Sequence, residues 1–119
     1  MEYKDITQEL SQNIFRPVYF FYGDEPYFID RLSQYIQKHA LSEAEKSFNQ
    51  TVLYGKDTDV ETVINTAKRY PMMASRQVVI LKEAQNLKGI DKLLYYIEKP
   101  QKTTVSVVNY KYGSPDKRT

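Results

Sequence analysis

The turn Gly23-Asp24-Glu25-Pro26 follows an apolar run and opens a helical pattern. In an α/β chain that is where phosphate settles on free backbone N–H groups. A nucleotide loop needs several such groups, a lysine for the β and γ phosphates, and a hydroxyl for magnesium. This turn has one glycine, no lysine and no hydroxyl, and Pro26 removes an N–H. Its two carboxylates suit helix capping and would repel phosphate. The third apolar run ends in Leu81-Lys82-Glu83, so a lysine stands where an ATPase would place a magnesium-holding aspartate. Glu83 by itself suits a helix cap or a surface charge. The expected nucleotide site is therefore degenerate, comprising Gly23, Asp24, Glu25, Pro26, Lys82 and Glu83.

Other chemistries fare no better. His39 is the single histidine, near a helix C-terminus that favours its partial charge. It has no second histidine and no serine or cysteine motif beside it, so no catalytic residue is expected. The pairs Asp24/Glu25 and Glu43/Glu45 lack the separation across a cleft that acid–base hydrolysis needs, and suit capping and solvated surface. No metal site and no cofactor are expected. Lys68 and Arg69 complement a helix dipole, while Lys111, Lys117 and Arg118 are a weak candidate for touching a phosphate backbone.

Tyr70-Pro71-Met72-Met73-Ala74-Ser75-Arg76 is of another kind. It joins a helical pattern (Val60, Val63, Ile64, Ala67) to a strand, with Pro71 expected to end the helix. Two adjacent methionines in such a connection either fill the core beneath the strand or lie on a partner-binding surface. Position and composition alone favour the core.

The elements that must hold these residues follow from apolar periodicity. Ile6, Leu10 and Ile14 mark a short N-terminal helix, broken at Arg16-Pro17. Strands are expected at Val18–Tyr22, Phe48–Tyr54, Val78–Leu81 and Thr103–Val108. Helices are expected from Pro26 to about His39, from Val60 to Arg69 with Thr58 or Asp59 as cap, and around Ile90, Leu93, Leu94 and Ile97. In the first of these, Phe28, Ile29, Leu32, Tyr35, Ile36 and Ala40 form one face. Leu41 to Ser47 is expected to be a polar connection. Strands alternating with helices imply right-handed crossovers, a parallel sheet, and helices on both faces.

At 119 residues the chain has room for one compact domain, and 41% hydrophobic with 27% charged residues suits a globular one. A net charge of +2 does not by itself argue for nucleic acid. The 11 tyrosines would stack on bases only if gathered on one basic face; core packing is the default. There is no cysteine, no signal-peptide pattern and no apolar run long enough to span a bilayer, so a cytoplasmic protein without a membrane partner is expected. The polar end after the last strand suggests a chain cut from something longer.

Several weak motifs occur in a telling order: Pro17-Val-Tyr-Phe-Phe-Tyr-Gly-Asp-Glu-Pro-Tyr-Phe-Ile-Asp30, Tyr70-Pro-Met-Met-Ala-Ser-Arg-Gln-Val-Val-Ile-Leu81, Asn86-Leu87 and Asp116-Lys117-Arg118. In this order the chain resembles the N-terminal domain of the delta subunit family of bacterial DNA polymerase III, over nearly all of residues 15–119. The resemblance implies a three-layer α/β/α domain of the AAA+ (P-loop NTPase) type, with strand order 2-3-4-1 and a degenerate nucleotide site. After the N-terminal helix, read over 1–14 from its periodicity, the resemblance implies the α/β domain over 15–110 and a polar tail over 111–119 leading to C-terminal domains absent here. It implies a non-catalytic clamp-loader subunit of the DNA polymerase III holoenzyme, a nucleotidyltransferase complex. The partners implied are the sliding clamp (beta subunit), the other loader subunits and primed DNA. Met72 and Met73, flanked by Pro71 and Ala74, then become an apolar plug for the clamp. Many relatives carry leucine and phenylalanine there, so methionine is a departure that keeps the apolar character. A nucleotide-binding or ATPase domain is the alternative, and a response-regulator-like domain fits less well because Lys82 follows the third strand.

Overall fold

In the structure, a computed structural model, residues 3–23 and 26–111 are described. Asp24, Glu25 and the basic residues Lys117 and Arg118 lie outside them. The chain runs α1 (Tyr3–Ser11), β1 (Val18–Gly23), α2 (Pro26–His39), α3 (Glu43–Asn49), β2 (Gln50–Tyr54), α4 (Val60–Ala67), β3 (Gln77–Lys82), a 3-10 turn (Ala84–Asn86), α5 (Ile90–Ile97) and β4 (Thr104–Lys111). The four strands form one parallel sheet in the order β1-β4-β3-β2, which is the expected 2-3-4-1 seen from the other edge.

The order explains the composition of each strand. β3 and β4 are central and covered on both faces, so Val78, Val79, Ile80 and Leu81 and Val105 to Val108 are buried throughout. Alternate residues serve opposite layers. Val78, Ile80, Val105 and Val107 pack with Tyr19, Phe21 and the Ile29, Leu32 and Ile36 face of α2, joined by Leu10 of α1. Leu81 and Val108 pack with Val60 and Val63 of α4 and Leu93 of α5. Helices thus cover both faces. No helix among the described residues is long and apolar enough to cross a membrane.

Four local expectations are corrected. The connection expected from Leu41 to Ser47 is mostly helix, and the strand begins at Gln50 rather than Phe48. A capping box starts that helix: the Glu45 N–H donates to Ser42 Oγ (3.3 Å) while Glu45 Oε1 accepts from the Ser42 N–H (2.9 Å). Pro71 does not end α4, which stops four residues earlier at Ala67. Its terminal carbonyls are instead taken up by tertiary partners. The buried Gln77 Nε2 lies 3.0 Å from Thr66 O, 3.3 Å from Ala67 O, 2.6 Å from Arg69 O and 2.9 Å from Thr104 Oγ1, sharing its two protons among these acceptors. Thr104 Oγ1 donates to Ala67 O (2.7 Å), and Gln101 Nε2 donates to Arg69 O (2.7 Å). Ile14 falls beyond α1 and is exposed. Phe28 likewise turns away from the buried face of α2 and packs on Tyr3 and Tyr27, with ring centroids 4.8 and 5.2 Å away.

Candidate functional site

The two regions singled out by sequence lie at opposite ends of the sheet. Gly23, Lys82, Glu83 and Lys111 stand at strand carboxyl ends, whereas residues 70–76 enter β3 at its amino end.

At the carboxyl end, Gly23 closes β1 with φ +130°, and Pro26 is the first residue of α2. Glu83, expected as a helix cap or a surface charge, occupies the N-cap position of the 3-10 turn without a side-chain capping bond. It adopts left-handed backbone (φ 55°) and its carboxylate lies 3.3 Å from Lys111 Nζ. Asp30 of α2 lies 2.9 Å from the same ammonium. Gln85 completes the set, donating to Glu83 Oε1 (2.9 Å) and accepting from the Lys111 N–H (3.1 Å). Lys111 is therefore committed to carboxylates of its own chain. No group of three metal-ligating side chains occurs among the described residues.

These contacts set an alkaline limit. The Asp30 hydrogen bond, with a smaller one from Glu83, outweighs desolvation and holds Lys111 above the usual lysine value of 10.5. Burial pushes the Tyr19 phenol above 10.0, partly offset by the Arg16 N–H that donates to its oxygen. Both groups bind their proton more tightly folded than unfolded. Their contribution is complete below the ordinary values and is lost as pH rises through the raised ones. Denaturant melts should therefore hold level to about pH 10 and fall above it, and Tyr19→Phe should flatten part of that fall. An equally steep fall in Tyr19→Phe removes the assignment to Tyr19.

The tyrosines do not gather on one face. Tyr19 is buried and Tyr110 stacks on Phe20, while Tyr22 and Tyr54 are exposed at strand carboxyl ends and Tyr70 near the amino end of β3. His39, the last residue of α2, lies against the Tyr35 ring at 4.3 Å. It lines an open polar depression with Ser42, Glu43, Glu45 and Ser75, where the Ser42 hydroxyl is engaged as a helix cap.

At the amino end the methionines are not core. Met72 is 60% exposed and Met73 99%, against the local expectation of burial. The cause lies in how the loop is tied down. Asn49, at the end of α3 and only 3% exposed, donates Nδ2 to Met72 O (2.8 Å) and accepts the Met72 N–H on Oδ1 (2.6 Å). At the other end Arg76 donates to Ala40 O (3.2 Å) and lays its guanidinium over the Phe15 ring, 4.6 Å from the centroid. Between these anchors Met73 holds φ 57°, a left-handed conformation uncommon for side chains other than glycine. Phe48, beside Asn49, is 74% exposed and Tyr70 is 79% exposed, so large apolar side chains project from both tied segments. Pro71 and Ala74 flank the methionines, half-buried.

Asn49 and Phe48 escaped the sequence reading because the aromatic suggested a strand. The serine-x-x-glutamate spacing at Ser42 and Glu45 was the available signal for a helix ending near Asn49. No local signal indicated that Asn49 meets a backbone 23 residues away.

Comparison with known proteins bears on what this scaffold is. Residues 19–119 match the family model for the DNA polymerase III delta subunit. The chain belongs to the DNA polymerase III delta subunit family. A curated member, DNA polymerase III subunit delta of Bacillus subtilis (strain 168), is 27% identical over 124 residues, covering 96% of this chain and 36% of that protein. The solved DNA clamp loader delta protein of Bacillus subtilis superposes with a TM-score of 0.86 at 26% identity, covering 99% of this chain and 38% of that one. The chain thus spans little more than a third of the length of the delta subunits it matches.

Proposed function

We propose that this chain is the clamp-binding part of a clamp-loader delta subunit, acting without catalysis of its own. The observation that carries the reading is the pair of exposed methionines on a loop tied at both ends. A loop in solvent has no use for such side chains, whereas two of them entering an apolar pocket form a compact hot spot. Met72 and Met73 are the plug, with Pro71 and Ala74 setting its flanks, and the pocket belongs to the sliding clamp. Plug burial favours a clamp conformation altered at its ring interface. The ring opens only as far as the plug binds that conformation better than the closed one.

The rest of the proposal is carried over from the family resemblance. The domain is a degenerate member of the AAA+ type, ATP control lies in other loader subunits, and C-terminal domains beyond this chain join them. The complex works on primed DNA in the cytoplasm, as part of the DNA polymerase III holoenzyme. The test is a calorimetric titration of the intact protein against its cognate clamp, with saturable binding expected; no heat and no co-migration would sink the proposal.

The alternative, a nucleotide-binding or ATPase domain, has no observation in its favour. Equilibrium dialysis with ATP and magnesium should give no saturable binding at micromolar concentrations. Saturation there would overturn the degenerate-site reading of Gly23, Asp24, Glu25, Pro26, Lys82 and Glu83.

A further inference from the structure

We infer that Asn49 is a positioning residue for the clamp-binding loop: through its reciprocal pair with the Met72 backbone, it sets the exposed placement of Met73. The inference rests on the plug reading above and adds a buried residue outside the plug itself.

Three observations support it. First, the Asn49 carboxamide has little freedom. Oδ1 accepts from the Met72 N–H at 2.6 Å, while Nδ2 donates to Met72 O at 2.8 Å and to Glu45 O, within α3, at 3.0 Å. Both amide protons and the carbonyl are committed, so the side chain acts as a short piece of backbone bridging α3 to the loop. Aspartate lacks the donors, leucine lacks both functions, and glutamine is one methylene too long for the same geometry.

Second, the residue after the pinned Met72 is the one in left-handed backbone, Met73 with φ 57°. A non-glycine residue keeps such a conformation only where its surroundings over-determine it. Here the determinants are the Asn49 pair before Met73 and the Arg76 anchor after it, on Ala40 O and the Phe15 ring.

Third, Met73 has almost no packing of its own, being 99% exposed. Its direction is therefore set by the backbone. A plug held in its binding conformation loses less freedom on docking than a free loop, so Asn49 contributes affinity by pre-organisation.

The experiment is a double-mutant cycle in the intact protein, titrated with its cognate clamp and paired with thermal melts. The proteins are the parent, Asn49→Ala, Met73→Ala and the two together, with Met72→Ala/Met73→Ala as the control for the plug. Asn49→Ala should weaken clamp binding about tenfold, the scale of two lost hydrogen bonds. With Met73 already alanine, the same change should cost only about twofold, because the side chain being positioned is gone. Unchanged affinity in Asn49→Ala overturns the inference while leaving the plug reading intact. So does an equal loss in both backgrounds, which would place the effect of Asn49 in the fold as a whole. Parent affinity in Met73→Ala together with Met72→Ala would sink the plug reading, and the role of Asn49 with it. Should Asn49→Ala not fold, hydrogen exchange on the parent decides. The Met72 amide should exchange about tenfold or more slowly than those of Met73 and Ala74, and equal rates overturn the inference.

Discussion

The double variant Met72→Ala/Met73→Ala is expected to lose about a hundredfold or more in affinity for the cognate clamp, with its melting point nearly unchanged. The two halves of this expectation come from the same pair of side chains in different surroundings. Burying one methionine in an apolar pocket is worth about 1.5 kcal/mol at the low end, so two give about 3 kcal/mol, or a hundredfold. In the free protein the same atoms already face water, Met73 almost completely. Removing them should change stability by no more than about 0.5 kcal/mol. If the pair were core instead, each truncation would cost about 2–5 kcal/mol and the domain would melt far earlier. Titration and calorimetry on the same samples separate the two cases. A folded double variant that binds like the parent would remove Met72 and Met73 from the interface.

A second large effect is expected at the other end of the sheet. Gly55, which follows β2, donates its N–H to Lys82 O at 2.8 Å and packs against the backbone leading from β3 into the 3-10 turn. A Cβ placed on it would lie 2.1 Å from Glu83 O and 3.1 Å from Leu87 N. Both are main-chain atoms, so no side chain can swing aside. Glu83 itself is held in left-handed backbone, with its carboxylate on Lys111. Gly55→Ala should therefore destabilise by about 3 kcal/mol, the upper range for overpacking, and lower the melting point of this domain by roughly 10 °C or more. A loss under about 1 kcal/mol in denaturant melts would show that this turn yields easily. The folded fraction should still bind the clamp, because the methionine loop lies at the opposite end of the strands.

The two variants divide the molecule by function. Gly55 serves the closed carboxyl end, where strand termini and Lys111 satisfy one another. Met72 and Met73 serve the amino end, where apolar side chains are left unsatisfied. The second group of exposed rings differs in this respect: Tyr3, Tyr27 and Phe28 already pack on one another, with Arg31 5.7 Å from the Tyr27 centroid. Met73 has no such neighbour to cover it.

Sequence by itself determined the layered parallel architecture, because the short apolar runs at Val18–Tyr22 and Val78–Leu81 are rich in β-forming residues and alternate with helical stripes. It also carried the expectation that the turn at Gly23 lacks phosphate chemistry, drawn from residue types alone. The third helix was legible at Ser42 and Glu45, although the aromatic Phe48 pointed towards a strand. Whether Met72 and Met73 lie inside or outside was not legible from the local pattern, where the family resemblance alone pointed outward, because an apolar side chain carries the same local signal in a core and on a docking surface. Only tertiary structure decided it. The Asn49 carboxamide, brought across from α3, takes both polar groups of Met72, and Gln77 and Thr104 take the carbonyls at the end of α4. With backbone polar groups satisfied from a distance, the loop stays apart from the core, and its methionines are left to face water.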